Sequence, residues 1–413
     1  MPAGAAKSCD VLIAGAGPAG LATALYLLRR HPELRGRVIA LEKSRHPRFK
    51  ACAGGLIPKT IAALHELDLT LDVPAVEVVR GSARTEVGNL DLTRGDVLCT
   101  IIRRDQFDAG LARAARDAGL VLVENCKLRR VLQRPDGATV ETDFGTFEAR
   151  VLVGADGSGS RVRAEVFGSR RKETIGRALM TDVPVNGASA VEFADRRYRF
   201  DFTCVGAGVA GYSWSFPCII DGRPHLNVGI YEQHPHELRE GRGSQERMVE
   251  ALAGGFPGLP LRRLGGHGMS FKAFPIRWYD RNDEFAKGSV ILVGDAAGVD
   301  PLMGEGISYA FEYARLAADA VARLLDGDSR ALDEYSDRVH RGSIGKKLRK
   351  LVFAARCFYG PRHRGFFRLA HLSRRAQEIG ADWYNGVAGF DEMRTRALIA
   401  RWAKSVLFAR PVR

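Results

Sequence analysis

An α/β fold is predicted for this chain, built on a Rossmann-like dinucleotide-binding domain that is discontinuous along the sequence. Three observations carry the prediction. The apolar run Val11-Leu12-Ile13-Ala14 leads into Gly15-Ala16-Gly17-Pro18-Ala19-Gly20 and then into helical periodicity over Leu21 to Leu28, the strand, tight turn and helix that a pyrophosphate requires. The next apolar run, Arg37 to Leu41, ends on Glu42, about 20 residues on, where a carboxylate accepts the ribose hydroxyls. Two more glycine–aspartate turns, Gly154-Ala155-Asp156-Gly157 and Gly294-Asp295-Ala296-Ala297-Gly298, each follow an apolar strand far downstream.

Within the first turn, Gly15 permits the reversal, Gly17 lets the backbone approach the phosphates, and Gly20 brings the helix close to the strand. Pro18 and Ala19 open that helix, whose N–H groups face the anion. Lys43, beside Glu42, counts with the cofactor-binding residues. After about Thr70 the texture changes. Val73 to Ile102 reads as strands around a turn at Val87-Gly88-Asn89. Helical periodicity returns over Phe107 to Ala118, with Asp105 as the expected N-cap. Strands resume at Val121–Val123, Thr139–Thr142 and Phe147–Val153. Residues from about Met180 to Phe274 read as mostly β, with one helix near Gln245–Ala253. Val290–Val293 returns the chain to the nucleotide fold, and Ile307–Leu325 reads as a helix. The expected division is therefore 1–75, 96–179 and 275–335 for the nucleotide domain, 76–95 and 180–274 for an inserted β-rich substrate domain, and 336–413 for a mostly helical C-terminal tail.

Composition bounds the function. The 413 residues are 46% hydrophobic, enough for a large core. No apolar run reaches the ~18 residues that span a bilayer, and the N-terminus has no signal-peptide pattern, so cytoplasmic residence is expected. Seven cysteines without a Cys-x-x-Cys pair fit reduced thiols. The histidines, among them His234, His236 and His267, show no metal-ligand spacing, and no metal is expected. The net charge of +14 is confined to the end: from Arg338 onward there are 18 Lys+Arg against four Asp+Glu, and the preceding residues are balanced. That tail interleaves basic residues with Phe353, Phe358, Tyr359, Phe366, Phe367, Trp383, Tyr384, Trp402 and Phe408. The pattern suits peripheral contact with an anionic membrane or an acidic electron-donor protein; no nucleic acid partner is expected. Gly206 to Gly211 also spells G-x-G-x-x-G, with Glu232 downstream, but it runs into period-two aromatics closed by Pro217, so no helix N-terminus is available there for a second nucleotide.

The arrangement resembles the flavoprotein monooxygenase-like superfamily, whose fold is that of the aromatic hydroxylases, and within it the geranylgeranyl reductase family. The resemblance runs from Asp10 to about Ala320 and implies FAD. It places Asp156-Gly157 near the pyrophosphate, followed by Ser160-x-Val162-Arg163, and Asp295 at the ribityl chain. It sets the Pro301-x-x-Gly304-Glu305-Gly306-Ile307 turn against the pyrimidine edge, and Arg104 on the cofactor. Two features single out the reductases. Arg48 to Leu56 is similar to their Lys-x-Cys-Gly-Gly loop, which passes Cys52 beside the isoalloxazine, although Ala53 stands where that pattern has glycine. Gly211-Tyr212-Ser213-Trp214-Ser215-Phe216-Pro217, followed by Asn227-Val228-Gly229, resembles their Tyr-x-Trp-x-Phe-Pro signature.

In a strand, alternate residues share a face, so Tyr212, Trp214 and Phe216 are expected to form one wall and Ser213 and Ser215 to point away. The resemblance implies saturation of double bonds in an apolar prenyl-type substrate by reduced FAD; NADPH and reduced ferredoxin stay open as the electron donor. Cys52, Tyr212, Trp214 and Phe216 are the catalytic candidates. The alternatives sharing the fold are a monooxygenase that hydroxylates or epoxidises an aromatic or natural-product substrate, and a non-redox flavin-dependent cyclase.

Overall fold

The computed structural model describes residues 6–386 apart from 71, 94, 169–173, 234–241 and 262–269, together with 396, 397, 400 and 404. His234, His236, His267, Trp402 and Phe408 lie outside the described residues.

The first sheet runs in the order Ala286–Lys287, Val290–Leu292, Gly145–Gly154, Lys7–Ala14, Val38–Leu41, Val121–Val123. From Val290–Leu292 onward its members are parallel, and the hairpin of Leu128–Arg134 and Gly137–Thr142 extends from Gly145–Gly154. Val11 to Ala14 are all buried, as unbroken apolar runs are in a parallel sheet covered on both faces. Register explains how motifs 140 residues apart meet. Ala14 pairs with Gly154, and Gly154 with Leu292, so Gly15, Ala155 and Val293 leave the sheet side by side at its carboxyl edge, where such sheets take nucleotides.

The second sheet has seven strands, in the order Lys272–Arg277, Ile175–Pro184, Arg223–Glu232, Gly211–Ile220, Arg197–Asp201, Arg80–Thr85, Gly88–Thr93. A small third sheet joins Gly55–Leu56, Cys99–Ile102 and Ala75–Val78. The expected borders at 179/180 and 274/275 cut two strands that pair wholly within the second sheet, Ile175–Pro184 and Lys272–Arg277. Charged clusters flank both strands in the sequence, Gly168 to Glu173 before Ile175 and Asp280 to Glu284 after Arg277, and the borders belong there. A further correction concerns Asp105. Helix Arg104–Asp117 is capped by Arg103 in extended conformation, and Asp105 sits in the first turn, its Oδ1 accepting from the Gln106 N–H at 3.0 Å.

The sequence Gly206–Gly211 forms a turn after a short 3-10 helix, and Gly211 opens a strand. Its nominal acidic partner Glu232 is fully buried and ion-paired with Arg247 at 2.6 Å. Beyond Ile307–Leu325 come helices Tyr335–Arg341, Ser343–Tyr359, His363–His371 and Arg374–Asn385. They are part of the body of the protein: Tyr335, Val339, Ile344, Leu348, Leu351, Tyr359 and Phe367 belong to the same core as the nucleotide domain.

Candidate functional site

The dinucleotide turn fits a bound pyrophosphate. A side chain at Gly20 would stand 2.0 Å from the Gly15 carbonyl, so helix Pro18–Arg30 packs on the strand only with glycine there. Glu42 Oε2 accepts from the Ala16 N–H at 3.2 Å and Oε1 from the Ser44 N–H at 3.1 Å. Arg48, given no individual role from the sequence, is central. Its guanidinium donates to Glu42 Oε2 at 3.3 Å, to the Ala16 carbonyl at 3.3 Å and to Asp108 Oδ2 at 3.1 Å. Its Nε is buried and lacks a described partner. Asp108, fully buried, also takes a bidentate pair from Arg104 at 2.8 and 3.0 Å. Alternating Glu42, Arg48, Asp108 and Arg104 thus tie the turn to the Cys52 loop, placing guanidinium charge beside a helix N-terminus, the environment a dinucleotide pyrophosphate takes. The Asp108 carboxylate holds Arg104 above its ordinary range despite burial. Lys43 is exposed at the edge of the turn.

The two downstream turns close on this one. Asp295 Oδ2 accepts from Ser158 Oγ at 3.1 Å, and Ser158 Oγ accepts from the Arg277 N–H at 3.2 Å. Asp295 Oδ1 lies 3.1 Å from the position a Gly306 Cβ would take, so the aspartate expected at the ribityl chain abuts the turn expected at the flavin edge. Asp156 acts locally, its carboxylate accepting from Ser160 Oγ at 2.5 Å and from the N–H groups of Arg161 and Val162 at 2.6 and 3.2 Å, which caps helix Arg161–Val166. Burial pushes its carboxyl up, against these bonds. Arg163 then donates to the Ala296 and Ala297 carbonyls at 2.7 and 3.1 Å, fastening that helix to the Asp295 turn.

The turn from Pro301 to Ile307 is held in a way the sequence does not announce. Tyr231 donates to the Pro301 carbonyl at 3.1 Å, Tyr359 to that of Leu302, and Tyr212 to that of Met303. The Asp300 carboxylate accepts from the Leu302 and Met303 N–H groups at 2.7 and 3.1 Å and from Tyr384 at 2.9 Å. Three successive carbonyls are therefore each taken by a tyrosine, one from the C-terminal helices. Tyr212 keeps its place in the aromatic wall, but its hydroxyl is engaged in positioning this turn.

A cleft opens between the Cys52 loop, the start of helix Arg104–Asp117 and the second sheet, bordered by Lys50, Cys52, Ala53, Arg104, Cys218 and Asn227. Gly54 has φ +78°, and a Cβ there would meet the Ile102 carbonyl at 1.9 Å, so the loop path requires glycine at 54 while Ala53 is accommodated. Cys52 Sγ accepts from the Gly54 N–H at 3.3 Å. Lys50 Nζ stands 3.1 Å from the Phe274 ring centroid, and burial pushes its ammonium down to about 8.

On the facing sheet Tyr212, Trp214 and Phe216 are buried together on one side. The opposite side is covered too: Ser213 and Ser215 are buried, and Ser215 Oγ donates to Glu192 at 2.8 Å. The strand register accounts for the paired motif. Trp214 lies opposite Gly229, and Phe216 opposite Asn227; the indole crosses Gly229, where a Cβ would meet it at 2.2 Å, and its N–H donates to Asn227 Oδ1 at 2.9 Å. The wall is larger than expected. Phe200 packs on Tyr212 and Phe216 at centroid distances of 5.3 and 5.4 Å, Tyr198 on Phe216 at 5.5 Å, Tyr231 on Tyr212 at 5.7 Å, and Phe202 joins Tyr212 to Phe367 at 5.8 Å on either side.

Comparison with known proteins agrees with this geometry. The model of an FAD binding domain matches residues 8–212. The menaquinone reductase of Mycobacterium tuberculosis is 27% identical over 379 residues, covering 84% of each chain. The chloroplastic geranylgeranyl diphosphate reductase of Oryza sativa is 28% identical over 357 residues, 81% of this chain and 70% of the relative. Among solved structures, a geranylgeranyl bacteriochlorophyll reductase-like protein from Thermoplasma acidophilum superposes with a TM-score of 0.72 at 19% identity, covering 97% of both chains. The p-nitrophenol 4-monooxygenase of Pseudomonas putida gives 0.63 at 22% identity, over 98% of this chain and 100% of that one. The chain is an FAD-dependent oxidoreductase, similar in sequence to menaquinone and geranylgeranyl reductases and in fold to flavoprotein monooxygenases.

Proposed function

We propose that this protein saturates isolated carbon–carbon double bonds of a prenyl chain. Bound FAD, once reduced by NADPH or a ferredoxin-type donor, supplies the hydride. The observation that carries the reading is the wall of Tyr212, Trp214 and Phe216, locked to Asn227 and Gly229 and bordering the Cys52 loop, where a Gly55 Cβ would stand 3.5 Å from Phe216. An unactivated trisubstituted alkene has no carbonyl to take up charge, so hydride delivery needs a concurrent proton and a surface that tolerates partial positive charge on the tertiary carbon. Ring faces contribute about 0.5–2 kcal/mol each to such a charge, and the apolar wall holds the chain and excludes water. Cys52 Sγ and Lys50 Nζ, together with Cys218 Sγ, bring a proton-bearing thiol or ammonium to the cleft. Relatives named for geranylgeranyl diphosphate and for menaquinone, two prenyl-bearing molecules, support the substrate class. Incubation of the reduced holoenzyme with such substrates is expected to give products heavier by two hydrogens per bond reduced. A gain of one oxygen would establish the monooxygenase instead, and unchanged mass with altered retention the cyclase.

The basic helices give this chemistry access to lipid: we propose that they seat the protein on an anionic membrane surface. Among the described residues no helix is long and apolar enough to cross a membrane. On Ser343–Tyr359 the outward positions after Ser343 are Lys346, Arg349, Phe353 and Arg356, and Phe353 is 68% exposed between basic side chains a turn away on either side. The full-length protein is expected to float with anionic liposomes and to release as the Debye length falls from about 10 Å at 0.1 M salt to about 3 Å at 1 M. Phe353→Ser should weaken flotation several-fold with flavin content unchanged. Flotation insensitive to Phe353, or absent at low salt, would leave an acidic electron-donor protein as the better partner for this surface.

A further inference from the structure

Glu305 sits between Gly304 and Gly306, in the turn that abuts Asp295. It enters a second, polar cavity formed where the C-terminal helices close over the nucleotide domain. Its Oε1 accepts from the Ser308 N–H at 2.8 Å, and its Oε2 pairs with Ser308 Oγ at 2.6 Å. The serine hydroxyl can donate to a carboxylate or accept from a carboxylic acid, so this pairing serves both protonation states.

The strands Gly211–Ile220 and Arg223–Glu232 and helix Ser343–Tyr359 face the turn with the hydroxyls of Tyr212, Tyr231 and Tyr359, all spent on its carbonyls, and the other titratable groups come from the elements that line the cavity. Helix Pro58–Glu66 brings Lys59, paired with Glu312 of helix Ile307–Leu325 at 2.9 Å. The latter helix also brings Tyr309. Helix Ser343–Tyr359 brings Lys347, whose ammonium donates to the Trp383 carbonyl and lies 4.4 Å from that indole. Helix Arg374–Asn385 brings Tyr384, bonded to Asp300. The Cys99 thiol, from the small sheet, lies within electrostatic range. The two nearest like charges, Asp300 and Glu312, are thus already held by donors, whereas the described bonds of the Glu305 carboxyl are both to Ser308.

We propose that Glu305 is the redox-linked proton site of this flavin pocket: ionised while a bound flavin is oxidised, it would bind one proton from solvent when a flavin held against the Gly304–Gly306 turn takes up negative charge. The inference rests on the FAD reading and holds for any reaction the flavin then performs. The two electrons come from the nicotinamide or ferredoxin donor, and the proton becomes the carboxyl O–H. Glu305 is half-buried; the desolvation of its carboxyl pushes it up to about 7, Asp300 and Glu312 push in the same direction, and the Ser308 bonds oppose them. An added negative charge nearby disfavours the ionised form and raises the value further, so the extra proton is taken up at and just above neutral pH.

The experiment uses the FAD-loaded protein, reduced with dithionite in weakly buffered solution containing a pH indicator. The wild type is expected to take up, slightly above neutrality, up to one proton per flavin more than Glu305→Gln, and the pH-dependence of its midpoint potential should bend where that of Glu305→Gln does not. Reduction-induced infrared difference spectra of the wild type should gain a protonated carboxyl band; this measurement does not depend on the variant folding. Equal proton uptake by flavin-replete wild type and variant, or no such band, overturns the inference and leaves the FAD reading intact. A wild type that binds no FAD overturns both.

Discussion

A chain ending at Leu325 is expected to be insoluble, or soluble but without flavin. The helices that follow complete the core and hold the cofactor turn. Tyr335 is fully buried and donates to the Leu292 carbonyl at 3.0 Å, on the strand that delivers Asp295. Ser336 Oγ accepts from the N–H groups of Phe285 and Ala286 at 2.9 and 3.0 Å. Tyr359 takes the Leu302 carbonyl, and Phe367 closes the aromatic cluster at Phe202. Exposing one buried Val, Leu, Ile or Phe side chain costs about 1.5–3 kcal/mol. Losing Val339, Ile344, Leu348, Leu351 and Phe367 together forfeits on the order of 8–15 kcal/mol, as much as a typical net stability of about 5–15 kcal/mol. Expression, circular dichroism and the flavin absorbance of the purified fragment check this. A soluble, yellow fragment with a cooperative melt would show that the tail is an appendage. The same packing dictates that lipid attachment be tested by point substitution in the full chain.

The nucleotide half of the site was legible because its signals are local. Strand, turn and helix adjoin in sequence around Gly15–Gly20, and the carboxyl-edge rule for parallel sheets brings Asp156 and Asp295 to that turn. The aromatic wall was half legible. Strand Gly211–Ile220 announces itself, whereas Tyr198, Phe200 and Phe202 carry the same period of two but alternate with Arg197, Arg199 and Asp201, so charge masks the stripe. Strand Leu128–Arg134 escapes for a related reason, since among its residues Val131 is the fully buried one and the rest are mostly exposed and charged. Arg48 with Asp108, and the tyrosines on Pro301, Leu302 and Met303, were not legible. Those partners lie 57 to 91 residues apart, and three of the four acceptors are backbone carbonyls, which no residue type announces. The local bonds of Asp156 were not legible either: its carboxylate lies within reach of a helix N-terminus that begins five residues later, and free N–H groups there attract it.

Trp214→Ala is expected to lower stability by about 3–5 kcal/mol, the usual cost of truncating a buried tryptophan, and to abolish most turnover in whatever fraction folds. The ring is 5% exposed and fills the space over Gly229, so the substitution opens a cavity as well as removing a ring face from the wall. Two effects in one variant do not separate, and Trp214→Phe separates them. It keeps an aromatic face and most of the volume but removes the N–H that Asn227 Oδ1 accepts; Asn227 retains its own donation to Asp182 at 2.8 Å. Its stability should fall by about 1–3 kcal/mol, the cost of leaving one buried acceptor without its donor, with FAD content near one per chain. If the indole face stabilises developing positive charge on an alkene carbon, by about 0.5–2 kcal/mol, replacing it with the weaker phenyl should cut kcat by no more than roughly 2- to 30-fold, with little change in KM. Loss of flavin from Trp214→Phe would mean that Trp214 supports the cofactor domain and not the substrate wall. A rise in KM at unchanged kcat would mean that the ring holds the prenyl chain without sharing in the chemistry.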